Sequence, residues 1–232
     1  MNYYRQYRPG SSSGRFPPVV LNLIIINAIM FFVKMFAMNT RQIDLDILLG
    51  LHHPYSYDFS WYQYITGLFM HADMGHLLFN MLGLWMFGHM LENIWNTRKF
   101  IAFYLICGIG SSLIYQIFQT YQAYQLYQSF GDVWMLMKEY PPGGYLIGAS
   151  GAVYGLMMGT ALTFPNTEMY MFGFMGMPIK LKWIAVLYGG GELLRAWQAN
   201  PHDNVAHFAH IGGMIFGFIL IKLFKQDRGS FY

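Results

Sequence analysis

Apolar residues gather along this chain in six runs, at residues 19–38, 76–91, 100–118, 147–164, 181–197 and 205–224. A helix needs about 20 apolar residues to cross a bilayer, and each run approaches that length. The second, fourth and fifth are shorter or more polar, and glycines interrupt them. Helices of that kind face protein rather than lipid. The pattern predicts an all-α membrane protein, a bundle of six transmembrane helices forming one domain over residues 19–224. Residues 1–18 combine Arg5, Arg8 and Arg15 with Ser, Gly and Pro, which predicts a short disordered tail on the cytoplasmic side. Residues 225–232 are expected as a second cytoplasmic tail.

Charge sets the orientation. With a cytoplasmic N-terminus and six crossings, the inside holds Arg5, Arg8, Arg15, Arg98, Lys99, Lys180, Lys182, Lys222, Lys225 and Arg228. These are ten of the 14 Lys and Arg residues, which favours N-in/C-in. An odd number of spans would put the two basic ends on opposite sides. The two long outer segments, 39–75 and 119–146, are rich in Tyr and Trp, which suit the headgroup layer. They read either as interfacial excursions with short in-plane helices or as plain connecting loops.

Composition excludes several classes. Charged residues make up 11% of the chain, against about 25% in soluble domains. A net charge of +3, scattered between apolar runs, gives no stripe for nucleic acid. The single cysteine, Cys107, rules out an internal disulfide and reads as a small buried residue.

Polar groups inside spans cost free energy and need a reason. The second span opens with His71, then His76 and Asn80, the last two sharing a helix face. His71 falls about 140° away from His76 at the mouth of the span. The fourth opens with Gly148, Ser150 and Tyr154. Ser150 and Tyr154 share a face beside a stripe of Gly151, Gly155 and Gly159, the small-residue pattern of close helix packing. The sixth opens with His207 and His210, and His210 shares its face with Gly213 and Gly217. These three spans all run from outside to inside. His76, Asn80, Ser150 and His210 therefore sit at similar depth, each within about two turns of the outer end.

A serine becomes a nucleophile when a base takes its proton, and His210 is the natural base. Attack on an amide builds charge on the carbonyl oxygen. His76, the Asn80 amide and the Ser150 backbone N–H could donate to it. Tyr154, one turn beyond Ser150, could pack against the His210 ring. No acid is placed to orient His210, so a dyad rather than a triad is implied. Glu192 and Arg195 can pair and receive no chemical part. A metal site built from His71, His76, His207 and His210 lacks a carboxylate or cysteine ligand and leaves Ser150 and Asn80 without a role.

The three segments resemble the rhomboid family of intramembrane serine proteases. The patterns are His71, His76 and Asn80; Gly148, Ser150 and Gly151 with Tyr154; and Ala209, His210 and Gly213 with Gly217. They occur in the family order, and Glu92 falls where the family has a glutamate. The resemblance implies Ser150 as nucleophile, His210 as base, and His76, Asn80 and the Ser150 N–H as oxyanion hole. Tyr154, Gly148, Gly151, Gly213, Gly217, His71 and Glu92 are supporting residues. Glu92, ahead of Arg98 and Lys99, is expected to tie the inner loop together by hydrogen bonds. No cofactor or metal is implied. The expected partners are transmembrane protein substrates, cut near their outer ends, and the lipid bilayer, with no nucleic acid. The expected location is a bacterial cell (inner) membrane, as a multi-pass protein. Where many members carry Trp-Arg in the first outer loop, this chain has Tyr62-Gln63, with Trp61 just before.

Overall fold

The chain enters its first helix, α1 (Pro18–Arg41), at a proline. Proline suits a first helical position because its missing N–H would lack an intrahelical acceptor there anyway. A computed structural model describes residues 17–141, 144–170, 177–198 and 206–226. The expected tails lie outside the described residues except at their inner edges, where Pro18 and residues 225–226 are helical. Ile25, Ile29, Phe32 and Phe36 of α1 are exposed, an apolar surface suited to lipid. Near its far end, Lys34 pairs with Asp46 of α2 (Leu45–Leu49) and donates to the carbonyls of His71 (2.5 Å) and Ala72 (3.2 Å). A lysine inside an apolar helix is thereby satisfied and anchors the segment that leads to the site.

Strand β1 (Leu51–His52), helix α3 (Gln63–Thr66) and a 3-10 turn (Gly67–Phe69) follow. Gln63 is buried, and its side chain makes four hydrogen bonds. Its carbonyl accepts from the backbone N–H groups of His52 (3.3 Å) and Ser60 (3.0 Å), and its amide donates to the carbonyls of Asp58 (2.8 Å) and Leu48 (3.3 Å). An uncharged amide thus organises the first long segment.

Helix α4 (Met74–Gly83) continues through a π-helical turn (Leu84–Gly88) into α5 (His89–Glu92). Asp73 caps α4 by accepting from the His76 N–H at 2.9 Å, and that bond holds its carboxyl below the usual carboxylate range. At the opposite end, Glu92 accepts from the backbone N–H groups of Val19 and Val20, both at 2.8 Å. These are among the first N–H groups of α1, which have no intrahelical acceptor, and a carboxylate also complements the positive end of the helix dipole. Glu92 therefore fastens α1 to α5, which corrects its expected role in tying the loop near Arg98 and Lys99. Glu92→Ala strands two buried donors, and bonds to a charged acceptor are worth about 1.5–3 kcal/mol each. A clear fall in Tm in detergent is expected; an unchanged Tm would show that α1 does not depend on this clasp.

Helix α6 (Thr97–Tyr127) is 31 residues long, or about 46 Å, well beyond the ~30 Å hydrocarbon core. Hydropathy alone predicts an end at residue 118. The backbone stays helical through the Tyr- and Gln-rich continuation, because those residues can still close the hydrogen-bond ladder while facing water or headgroups. Helix α7 (Val133–Glu139) follows, capped by Asp132. Strand β2 (Tyr145–Leu146) then pairs antiparallel with β1, Leu51 opposite Leu146 and His52 opposite Tyr145. The two long segments are thus held together just before the site.

Helix α8 (Ser150–Thr163) has 14 residues and is mostly buried, between α6 and α10 (His207–Gln226). A small hairpin, β3 (Glu168–Tyr170) with β4 (Pro178–Lys180), leads to α9 (Leu181–Gln198). The hydrophobic core includes Leu91, Phe100, Phe103, Leu156 and Ile184 around α8. Helices α1, α6 and α10 are long and apolar enough to cross a membrane, by length and composition.

Two glycine contacts set the register of α10 on α8. A Cβ at Gly213 would lie 1.9 Å from the Gly151 carbonyl oxygen, and one at Gly217 would lie 2.5 Å from that of Gly155. The two backbones touch, which no larger residue permits. On its other side, the stripe of Gly151, Gly155 and Gly159 receives Ser111, Cys107 and Phe103 of α6.

Candidate active site

The turn into α8 requires glycine at position 148. Its φ is +118°, and a Cβ there would meet the His76 ring at 2.7 Å. The Gly148 N–H donates to the Gly67 carbonyl at 2.9 Å, which joins this turn to the first long segment. Ser150 then stands as the first residue of α8. Its backbone N–H is one of the terminal donors without an intrahelical acceptor.

The Ser150 Oγ lies 2.8 Å from Nε2 of His210, in the first turn of α10. The Tyr154 ring stacks on the His210 ring with centroids 4.2 Å apart and planes 8° from parallel. His76 and Asn80, one turn apart on α4, line a cavity of about 610 Å³ together with Ser150, Tyr154 and His210. One N–H of the Asn80 amide donates to the His76 carbonyl at 3.0 Å. The amide carries a second N–H that remains for a ligand. His71 precedes α4, fully buried, with its ring edge-on to His76 at 5.0 Å. It stands three residues before Met74, the first residue of α4.

One residue of the cluster was absent from the sequence-based site. Glu192 of α9 is buried, and its carboxylate accepts from the Tyr154 hydroxyl. Its Oε2 lies 2.5 Å from His207 Nδ1, and its Oε1 lies 3.0 Å from His210 Nδ1. The last pair is close but not lined up as an N–H···O bond. The expectation that no acid stands beside His210 is therefore overturned. An acid within an apolar run was the available signal, since buried charges come paired. Its partners sit on other helices, where spacing along the chain says nothing.

Glu192, His207 and His210 are also the one group among the described residues with ligand atoms close enough for a metal, all within 4.8 Å of one another. Separations of 2.5 and 3.0 Å are hydrogen-bond distances. Ligand atoms around a tetrahedral zinc stand about 3.3 Å apart, given Zn–N and Zn–O bonds of about 2.0–2.1 Å.

A family model for the Rhomboid domain matches residues 58–226, which hold every residue of this cluster. The chain belongs to the rhomboid family. Among its relatives it is 30% identical to RHOMBOID-like protein 12, mitochondrial, of Arabidopsis thaliana, over 92% of this chain and 60% of that protein. It is 30% identical to rhomboid protease AarA of Providencia stuartii, over 60% of this chain and 48% of that protein. It is 24% identical to a putative rhomboid protease, YdcA of Bacillus subtilis (strain 168), over 94% of each chain. The chain spans about half the length of the first relatives it matches. Rhomboid membership and the three span-length helices make this an integral membrane protein.

Proposed function

We propose that this rhomboid-family chain is an intramembrane serine endopeptidase that cuts transmembrane-helix substrates near the outer membrane face. Six helices crossing N-in/C-in would form its catalytic domain, residues 19–224. Its basic inner segments suit the inner membrane of a bacterium, in line with the bacterial relatives. The observation that carries the reading is the 2.8 Å contact of Ser150 Oγ with His210 Nε2 on the wall of a large cavity.

In the proposed reaction, Ser150 Oγ attacks the scissile carbonyl carbon while its proton passes to His210 Nε2. The carbonyl π electrons move onto oxygen. The tetrahedral intermediate collapses, the C–N bond breaks, and His210 returns the proton to the leaving amine. Water, deprotonated by His210, then hydrolyses the serine ester and regenerates the hydroxyl. The oxyanion would rest among the Ser150 N–H, the second N–H of Asn80 and His76. Phe79, Leu82, Met86, Val153 and Met157 extend the cavity as an apolar wall, suited to side chains from a membrane helix.

Removing one oxyanion donor costs about 10²- to 10³-fold in turnover. Asn80→Ala is expected to lower kcat by about 10²-fold with KM little changed, in a steady-state assay. Unchanged turnover would remove Asn80 from the oxyanion hole. The broader test is cleavage of a generic single-span substrate in liposomes by wild type, Ser150→Ala and His210→Ala. Cleavage by wild type alone supports the reading. No cleavage by folded wild type across several substrates would favour a helix-binding protein that does not cut.

A further inference from the structure

We propose that Glu192 is a positioning residue for His210, so that the site operates as Ser150–His210–Glu192 with His207 bracing the acid. The inference rests on the protease reading above and deepens it.

A carboxylate only accepts hydrogen bonds, whereas a neutral histidine has one donor nitrogen and one acceptor nitrogen. His210 Nδ1 lies 3.0 Å from Glu192 Oε1. Only the tautomer with its proton on Nδ1 suits that neighbour; the alternative would set a lone pair against a negative oxygen. The choice at Nδ1 dictates the state at Nε2, 2.8 Å from Ser150 Oγ. With the proton on Nδ1, Nε2 is an acceptor and can take the serine proton. With the other tautomer it is a donor, and no base faces the nucleophile. The same carboxylate would stabilise the imidazolium formed during attack.

The acid is itself held in place from two sides. The Tyr154 hydroxyl donates to the oxygen nearest His210 while its ring stacks on the imidazole, so one side chain holds both acid and base. His207, one turn before His210 on α10, lies 2.5 Å from the other oxygen. The His210–Glu192 pair stands at hydrogen-bond distance without being aligned, and catalytic hydrogen bonds commonly align and tighten only when substrate occupies the site.

The test compares wild type, Ser150→Ala and Glu192→Gln in liposomes with a single-span substrate, alongside the 15N NMR signals of His210 in 15N-histidine-labelled protein. A glutamine can offer either an oxygen or an NH2 group to His210 and so no longer selects a tautomer. Glu192→Gln is expected to lower kcat by about 10²- to 10⁴-fold, with KM within about threefold of wild type. In wild type the His210 proton should sit on Nδ1, and in the variant a second population should carry it on Nε2. Wild-type kcat in the variant overturns the inference, as does a wild-type His210 protonated on Nε2. A loss of kcat that tracks a fall in Tm, with the tautomer unchanged, likewise overturns it in favour of a structural role. Should Glu192→Gln fail to fold, the wild-type tautomer alone still decides. If wild type cleaves no more than Ser150→Ala, the protease reading fails separately, and the NMR result judges the positioning of His210 independently.

Discussion

Ser150→Ala is expected to lower cleavage by about 10⁴- to 10⁶-fold while leaving the fold intact. The size follows from the proposed role, since without the hydroxyl no atom remains to form the acyl bond. The harmlessness to the fold follows from local structure. Ser150 opens α8, but the side chain caps nothing: Ala149 occupies the capping position, with no side-chain bond to the helix. The side-chain hydrogen bond of Ser150 runs to His210 Nε2, which borders the cavity. Its loss leaves an imidazole nitrogen facing an open cavity rather than a sealed core. Initial rates of product formation, paired with thermal unfolding in the same detergent, check both halves. Residual cleavage within tenfold of wild type would mean that another residue is the nucleophile.

Gly213→Val should have the largest effect on folding. The first added carbon would stand 1.9 Å from the carbonyl oxygen of Gly151, and backbone cannot turn aside as a side chain can. Overpacking in an adaptable core costs about 1–3 kcal/mol; here α10 must leave α8. That motion would also pull His210 away from Ser150 and Tyr154, so stability and activity should fall together. Gly190 of α9 is the internal control, because a Cβ there meets nothing within 4 Å. Gly190→Ala should be neutral or stabilising, since alanine is favoured over glycine in a helix by about 0.5–1 kcal/mol. Size-exclusion profiles and Tm of the two variants provide the comparison. A Gly213→Val protein as stable as wild type would show that these faces do not meet as described.

Much of the site was legible because its signals are local. His76 and Asn80 lie one turn apart, as do Ser150 and Tyr154, and helix geometry alone puts each pair on a common face. Gly213 and Gly217 mark a face of close approach by the same rule, and the contacts with Gly151 and Gly155 bear that out. The sequence allows Tyr154 to pack against the His210 ring, and the two rings stack. Less was legible wherever a side chain takes its partner from a distant part of the chain. Glu92 looked like a loop residue from its neighbours Arg98 and Lys99, yet it clasps the start of α1. Glu192 looked inert beside Arg195, yet it meets Tyr154, His207 and His210.

The sequence by itself determined the helical, membrane-embedded character of this chain and the serine, histidines and asparagine around which a hydrolytic site can form. Hydrophobic length and helical periodicity are properties of contiguous residues, so one strand of text carries them. Only the tertiary structure decided that α6 runs on to Tyr127, that Gln63 organises the first long segment, and that an acid stands beside His210. These depend on how helices pack across one another. A buried carboxylate must find donors wherever the packing brings them, and nothing in its own neighbourhood along the chain says where that is.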